Sequence, residues 1–412
     1  MPTARYLTAA EAAAALGVSL ATLYAYGSRG LVRSEAAGSS RRYRRYRRED
    51  VDRLRARQEQ RRHPEQAAEQ ALSWGMPVLD SGLSLIADGR LYYRGQDALA
   101  LAENSTFEQV ADLLWLGAVG GQSPVAAEAN RPRPDSLRAY HPWLKLLRQP
   151  APVEVFQALL PLAATRDLAA YDLRPAAVAQ TGVRILDLLA DAAIYPATPA
   201  AGRIAERLQL GWSPPQRGAA RLLDAALILC ADHELNASAF TARCVAAVRA
   251  TPYHAVMAGL AALQGMRHGG HIARVEAMLD EAGAPARAGA VINARLKRGD
   301  ALPGFGHPLY PDGDPRGRAL LALAVAAAPR SREVALARAV VDAAAAMQGE
   351  FPTIDFSLVV VARALKLPRG AALALFALGR TAGWIAHAIE QYQTELMIRP
   401  RARYVGVMPS PA

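Results

Sequence analysis

Residues 303–316 read PGFGHPLYPDGDPR and set His307, Tyr310, Asp312, Asp314 and Arg316 among glycines and prolines. Proline lacks the amide donor and glycine is conformationally too free, so this run cannot continue a helix. Two readings stand: a solvated loop, or a rigid turn that holds a histidine and an arginine at a ligand. Other ionisable groups sit in comparable places. His233 lies in ADHELNAS at the end of an apolar run, and His268 and His271 lie in RHGGH. Asp355 stands in FPTIDFSLVVVARALKL, at the entrance to a run of Leu and Val. A carboxylate in such surroundings is costly unless it is paired or its pKa is raised, and a raised pKa suits proton abstraction. A helix N-cap is the alternative role. Arg316, Arg380 in GRTAGWIAHAIEQ, and Arg399 in IRPRARYVG are fork-shaped donors that together can hold a dianion.

Other chemistries find less support. His268 and His271 are three apart, but two glycines weaken the helix between them and no third ligand is close in sequence, so no metal is expected. The chain contains no GxSxG, GxGxxG or GxxxxGK[ST] motif. That argues against a serine nucleophile on an elbow and against a nucleotide-binding α/β domain.

The elements that must position these groups read as helices. Segments such as STFEQVADLLWLG, PVEVFQALLPLAAT and GAARLLDAALILCADHEL repeat apolar residues at three and four positions. One hairpin is expected in SLIADGRLYYRG (84–95), around Asp88-Gly89. With 412 residues, 52% hydrophobic and only 6% aromatic, the chain can build a large core through small side chains. Cys230 and Cys244 lack a metal or disulfide pattern and read as buried thiols in a reducing compartment. No signal peptide or membrane span is expected, so the default location is cytoplasmic.

The net charge of +11 is uneven, because residues 1–62 hold 14 arginines against 6 acidic residues. Thr8-Ala-Ala-Glu11 forms a capping box for one helix, Gly17 ends it, and Ser19 can cap a second. Two such helices make a helix-turn-helix whose second helix carries Thr22, Tyr24 and Tyr26. RRYRRYRRED (41–50) suits a wing along a phosphate backbone. The expected DNA contacts are Thr22, Tyr24, Arg41, Arg42, Arg44, Arg45 and Tyr46. A basic solvated face, or a helix pair for protein contacts, is the alternative. Residues 63–76 read as a linker.

The stretch YLTAAEAAAALGVSLATLYAYGSRGLVR, followed by RRYRREDVDRL, resembles the winged-helix domain of MerR-type regulators, without their long dimerisation helix or metal-binding cysteines. The rest, from Pro77, resembles citrate synthases through LYYRGQDALALAENSTFEQVADLLWLG, ADHELNAS, HGG, GFGHPLYPDGDPR, the IDF around Asp355, and GRTAGWIAHAIEQ through RPRARYVG, in the family's order. The resemblance implies an all-α body. A large domain takes in residues 77–269 and 366–412, and a small one residues 270–365. It implies a cytoplasmic enzyme of the tricarboxylic acid cycle that condenses acetyl-CoA with oxaloacetate to citrate, or propionyl-CoA to 2-methylcitrate, with no metal or other cofactor. Asp355 looks like the base, His268 like the donor to the enol oxygen, and His307 like the group that polarises the ketone. His233, Arg316 and Arg380 look like oxaloacetate ligands. Arg399 looks like a further one, reaching across a homodimer or higher oligomer. Pro311-Asp312 replaces the family's basic residue for the CoA phosphates, leaving Arg267 as a candidate cation, and His271 replaces a small residue. The second reading is a DNA-binding transcription regulator whose body senses a ligand.

Overall fold

A computed structural model describes residues 6–29, 31–36, 44–52, 54–55, 79–117, 137–148, 150–197, 201–212 and 218–408. The chain divides into two compact units, Met1–Asp80 and Ser81–Ala412. The expected linker 63–76, Arg41 and Arg42 lie outside the described residues.

The first unit contains β1 (Tyr6–Thr8), α1 (Ala9–Leu16), α2 (Leu20–Ser28), β2 (Ser34–Ala36) and β3 (Arg44–Arg47). Thr8 and Glu11 form the capping box, with Thr8 N donating to Glu11 Oε2 at 2.8 Å and Glu11 N to Thr8 Oγ1 at 3.2 Å. Gly17 stops α1 at φ 63°, a left-handed conformation that glycine adopts without a Cβ penalty. Ser19 Oγ then accepts from Thr22 N at 3.2 Å. The helices bend by 97°, within the helix-turn-helix range. The strands form an antiparallel sheet of order β1-β3-β2, which is the wing. Its core holds Leu7, Leu16, Leu23, Val32, Tyr46 and Val51.

Among its described residues the second unit is mainly helical, with an antiparallel sheet of β4 (Ser84–Ala87), β5 (Arg90–Tyr93) and β6 (Gln96–Asp97). The expected hairpin turns at Asp88 and Gly89, both at positive φ. The helices that carry or brace site residues continue as α3 (Phe107–Leu116), α4 (Ala219–Cys230), α5 (Ala237–Ala247), α6 (Gly270–Ala282), α7 (Pro315–Ala327), α8 (Ile354–Ala364) and α9 (Ala371–Tyr392). Helix α9 is long and apolar enough to cross a membrane, yet 94% of its most apolar window is buried inside the unit. It packs against α3, α4 and α5. The small side chains anticipated from composition make this possible. A Cβ at Gly379 would lie 2.6 Å from the Leu227 carbonyl oxygen, far inside van der Waals contact.

Candidate active site

The segment 303–314 is built as a rigid turn. Gly304, at φ +80°, has Val275 of α6 and Phe356 of α8 so close that a Cβ would meet them at 2.7 and 2.9 Å. Its carbonyl accepts from Thr353 N at 2.8 Å, Gly306 N donates to Phe351 O at 3.2 Å, and Phe305 bridges to Pro352. Asp314 caps α7 through Arg316 N at 3.0 Å, and its Oδ2 also accepts the Ile354 amide at 3.1 Å. One buried carboxylate therefore fixes the starts of both α7 and α8. The solvated-loop reading of this stretch is replaced by a clamped one.

Arg316 is buried and gripped by Asp314 through Nε and Nη2 at 2.9 and 2.8 Å. Burial alone would raise the Asp314 pKa, but the guanidinium overrides it and holds the carboxyl below its usual range. Arg316 also lies over the Tyr310 ring at 5.5 Å. Tyr310 OH is 3.0 Å from His233 Nε2, and the rings of His233 and His307 meet edge-on at 5.3 Å. Burial, then Arg316, pushes the His307 pKa down to about 4. His307 is thus neutral at pH 7, and its Nδ1 accepts from Leu309 N at 3.2 Å. The ring proton is left on Nε2, as a donor. His233 is also held neutral, by burial first and then by Arg316 and Arg380.

Arg380 projects from the middle of α9. Its Nε donates to Cys230 O at 2.7 Å, and its guanidinium lies 4.9 Å from the Phe376 ring centre. Phe376 also meets His268, edge-on at 5.8 Å. Burial, then Arg380, brings the His268 pKa to about 4. Its Nε2 lies 2.9 Å from Ser238 Oγ, which donates its proton at 2.8 Å to Asn236 Oδ1, the cap of α5. Asp355 occupies the first turn of α8, half-buried, with Thr353 Oγ1 at 3.4 Å. Thr353, not Asp355, takes the N-cap position, so the capping role considered for Asp355 falls away. Burial raises the Asp355 pKa, while Arg316 and His271 pull it down.

The structure thus brings His233, His268, His307, Arg316, Arg380 and Asp355 into one electrostatically connected group. Arg399 is not among them. It lies on the exposed stretch after α9, with Arg401. Among the described residues no three of His, Cys, Asp and Glu converge as a metal site. Both cysteines are free; Cys230 is buried, whereas Cys244 is only half-buried. Sequence reasoning missed Ser238, Phe376 and the clamp role of Asp314. Asp314 carried a signal in Asp-Pro, a cap followed by proline at the first helical position. In the first unit Tyr24, Arg44 and Arg45 are exposed and Thr22 is half-buried. Tyr46 is a correction: only 1% exposed, it packs in the core and cannot reach a DNA groove.

Fold and side chains define a two-module protein, with a winged helix-turn-helix unit ahead in sequence of a mainly helical body holding a histidine, arginine and carboxylate site. Residues 71–401 match the family profile "Citrate synthase, C-terminal domain", and residues 7–63 match "MerR HTH family regulatory protein". Citrate synthase 2 of Bacillus subtilis (strain 168) is 29% identical over 361 residues, covering 81% of this chain and 94% of the relative. The 2-methylcitrate synthase 2 of Corynebacterium glutamicum is 29% identical over 341 residues, covering 77% and 88%. The crystal structure of citrate synthase from Thermotoga maritima MSB8 aligns with a TM-score of 0.70 and 26% identity, over 83% of this chain and 97% of that one. The chain belongs to the citrate synthase family.

Proposed function

We propose that the helical body condenses acetyl-CoA with oxaloacetate and hydrolyses the resulting thioester to citrate and CoA. The observation that carries this reading is a half-buried carboxylate grouped with two imidazoles kept uncharged beside two buried arginines. A thioester α-proton is weakly acidic, so a base needs a donor at the oxygen where charge grows. Asp355 takes the proton. His268, held at Ser238 Oγ, is the donor to the enol oxygen as charge grows there. His307 donates from Nε2 to the ketone of oxaloacetate, whose carbon accepts the enol's electron pair. His233, Arg316 and Arg380 hold its carboxylates. Water then cleaves the thioester and releases the CoA thiol. The steps draw on protein groups alone.

Propionyl-CoA is a second substrate in this reading, since one methylene is a matter of pocket shape. Closure of a small domain, residues 270–365, over a large one excludes water during condensation. The exposed Arg399 completes the oxaloacetate site of a second copy in a cytoplasmic homodimer. Arg267, exposed near His268, stands in as a cation for CoA phosphates where Pro311 and Asp312 offer none. Free-thiol release on mixing the full chain with oxaloacetate and either thioester tests the proposal, and no release with both rejects it.

A DNA-binding regulator that senses ligands through this body is the second reading. It is favoured by the exposed Tyr24, Arg44 and Arg45 on a folded winged helix. Gel retardation of the protein's own promoter region, with and without residues 1–62, tests it; equal retardation rejects a role for the module.

A further inference from the structure

Helix α9 presents Arg380, Gly383 and His387 on one face, because positions i, i+3 and i+7 of a helix align. Against that face lies the turn after α4, residues 231–236. Gly383 records the closeness of approach: a Cβ there would come within 2.3 Å of the Ala231 carbonyl oxygen and 2.6 Å of Asp232 Oδ1. Asp232 and His387 are both fully buried, with Nε2 and Oδ1 3.2 Å apart. Among the described residues neither ring nitrogen of His387 has a well-directed hydrogen-bond partner, so the contact is a close approach of imidazole and carboxylate. The other carboxylate oxygen of Asp232 accepts from Ser84 Oγ of β4 at 2.5 Å. Ser84 Oγ in turn accepts the Glu234 amide at 2.8 Å, and Glu234 Oε1 accepts the Ile86 amide at 3.0 Å. Burial would raise the Asp232 pKa, but His387 and then Arg380 hold it below the ordinary value, so the carboxylate is charged.

A buried carboxylate set beside an imidazole is a poor stability device, since apolar residues of similar shape often do as well or better. This one stands between two groups of the proposed site. On its one side His233, the next residue in the chain, turns toward Tyr310. On the other, Arg380 shares the carboxylate's field. Neither Asp232 nor His387 has a part in the condensation steps above.

We propose that Asp232 and His387 are positioning residues for oxaloacetate: pinned by Ser84, the pair sets the His233 turn and balances Arg380 before the substrate arrives. The proposal rests on the oxaloacetate reading of the site. It predicts an effect on oxaloacetate binding rather than on proton abstraction.

Asp232→Asn, His387→Gln, Ser84→Ala and the Asp232→Asn/His387→Gln double variant of the full chain are assayed by thiol release, varying each substrate in turn. The expected result is a KM for oxaloacetate raised about tenfold or more, because a partner group is left buried and unpaired. The KM for the thioester stays within about twofold, and the double variant is no worse than the worse single one, as coupled partners behave. Variants that keep the wild-type KM for oxaloacetate and lose only kcat, or whose effects add, overturn the proposal. Where Asp232→Asn does not fold, Ser84→Ala decides it, and an unchanged KM for oxaloacetate there also overturns it. Calorimetric titration of oxaloacetate separates the two levels. A wild-type protein that binds oxaloacetate yet releases no thiol ends the condensation reading alone, and the variants must then bind about tenfold more weakly. A wild-type protein that binds no oxaloacetate ends both.

Discussion

Asp314 holds Arg316 through two parallel hydrogen bonds of 2.9 and 2.8 Å and, with the oxygen that meets Nη2, accepts the Ile354 amide at 3.1 Å. One carboxylate thereby ties the buried Arg316 guanidinium to the helix that begins one residue before Asp355. Replacing Asp314 by Ala leaves a buried guanidinium unpaired and releases the start of α8. The expected cost is about 3–5 kcal/mol of stability, as for other broken buried pairs. Urea unfolding followed by circular dichroism measures it, and a loss below about 1 kcal/mol would contradict the clamp.

Asp355→Ala should leave the fold intact, since Asp355 is half-buried and is not the cap of α8. Thiol release should fall by about 10²–10⁴-fold, the usual contribution of a positioned base. Unchanged turnover would remove Asp355 from the mechanism.

His271 occupies the first turn of α6, its amide donating to His268 O at 3.0 Å, and its charge lowers the Asp355 pKa. His271→Ala therefore moves the acid limb of the kcat/KM profile to higher pH, because the base protonates more easily without a neighbouring cation. An acid limb at the wild-type position would show that His271 does not reach the carboxylate.

His268 and His307 have pKa values of about 4 in the folded protein, against an ordinary 6.5. Between these values the unfolded chain binds more protons, so stability falls as pH drops from 6.5, and the whole loss is reached below about 4. The loss is at most about 3 kcal/mol per histidine. Urea midpoints at pH 7 and pH 5 should differ less in the His268→Gln/His307→Gln variant than in the wild type. Equal differences would mean these rings do not set the acid sensitivity.

In the first unit, Tyr46→Ala and Arg45→Ala should act on different properties. Tyr46 is a core residue, so its truncation costs about 3–5 kcal/mol, in the range of large aromatic deletions. Arg45 is exposed, so its loss leaves melting unchanged and reduces the salt slope of DNA binding by about one. Identical effects of the two on melting would overturn this division.

Much of the architecture was readable from local signals. Thr8 with Glu11, Gly17, Ser19 and Asp88-Gly89 act within a few residues of themselves through caps and positive φ, so their spacing in the chain is enough to locate the turns. The rigidity of 303–314 was legible as one of two options, because Gly and Pro exclude a helix but do not say what the turn packs against. Gly304 shows what was hidden: its neighbours Val275 and Phe356 come from two other helices. Tyr46 failed as a DNA contact for a related reason, since alternation with arginines does not reveal which face of the strand meets Leu23 and Val51. The Asp232–His387 pair is the extreme case. Ser84 and Asp232 are 148 positions apart, and only the packing of a glycine-notched helix against a turn makes a carboxylate, a histidine and an arginine neighbours. Residue types and turn points are thus determined by the sequence, through forces that decay within one helical turn. Which charges share a buried field, and so which imidazoles stay neutral, is decided by tertiary structure, because desolvation depends on neighbours that the chain brings from far away.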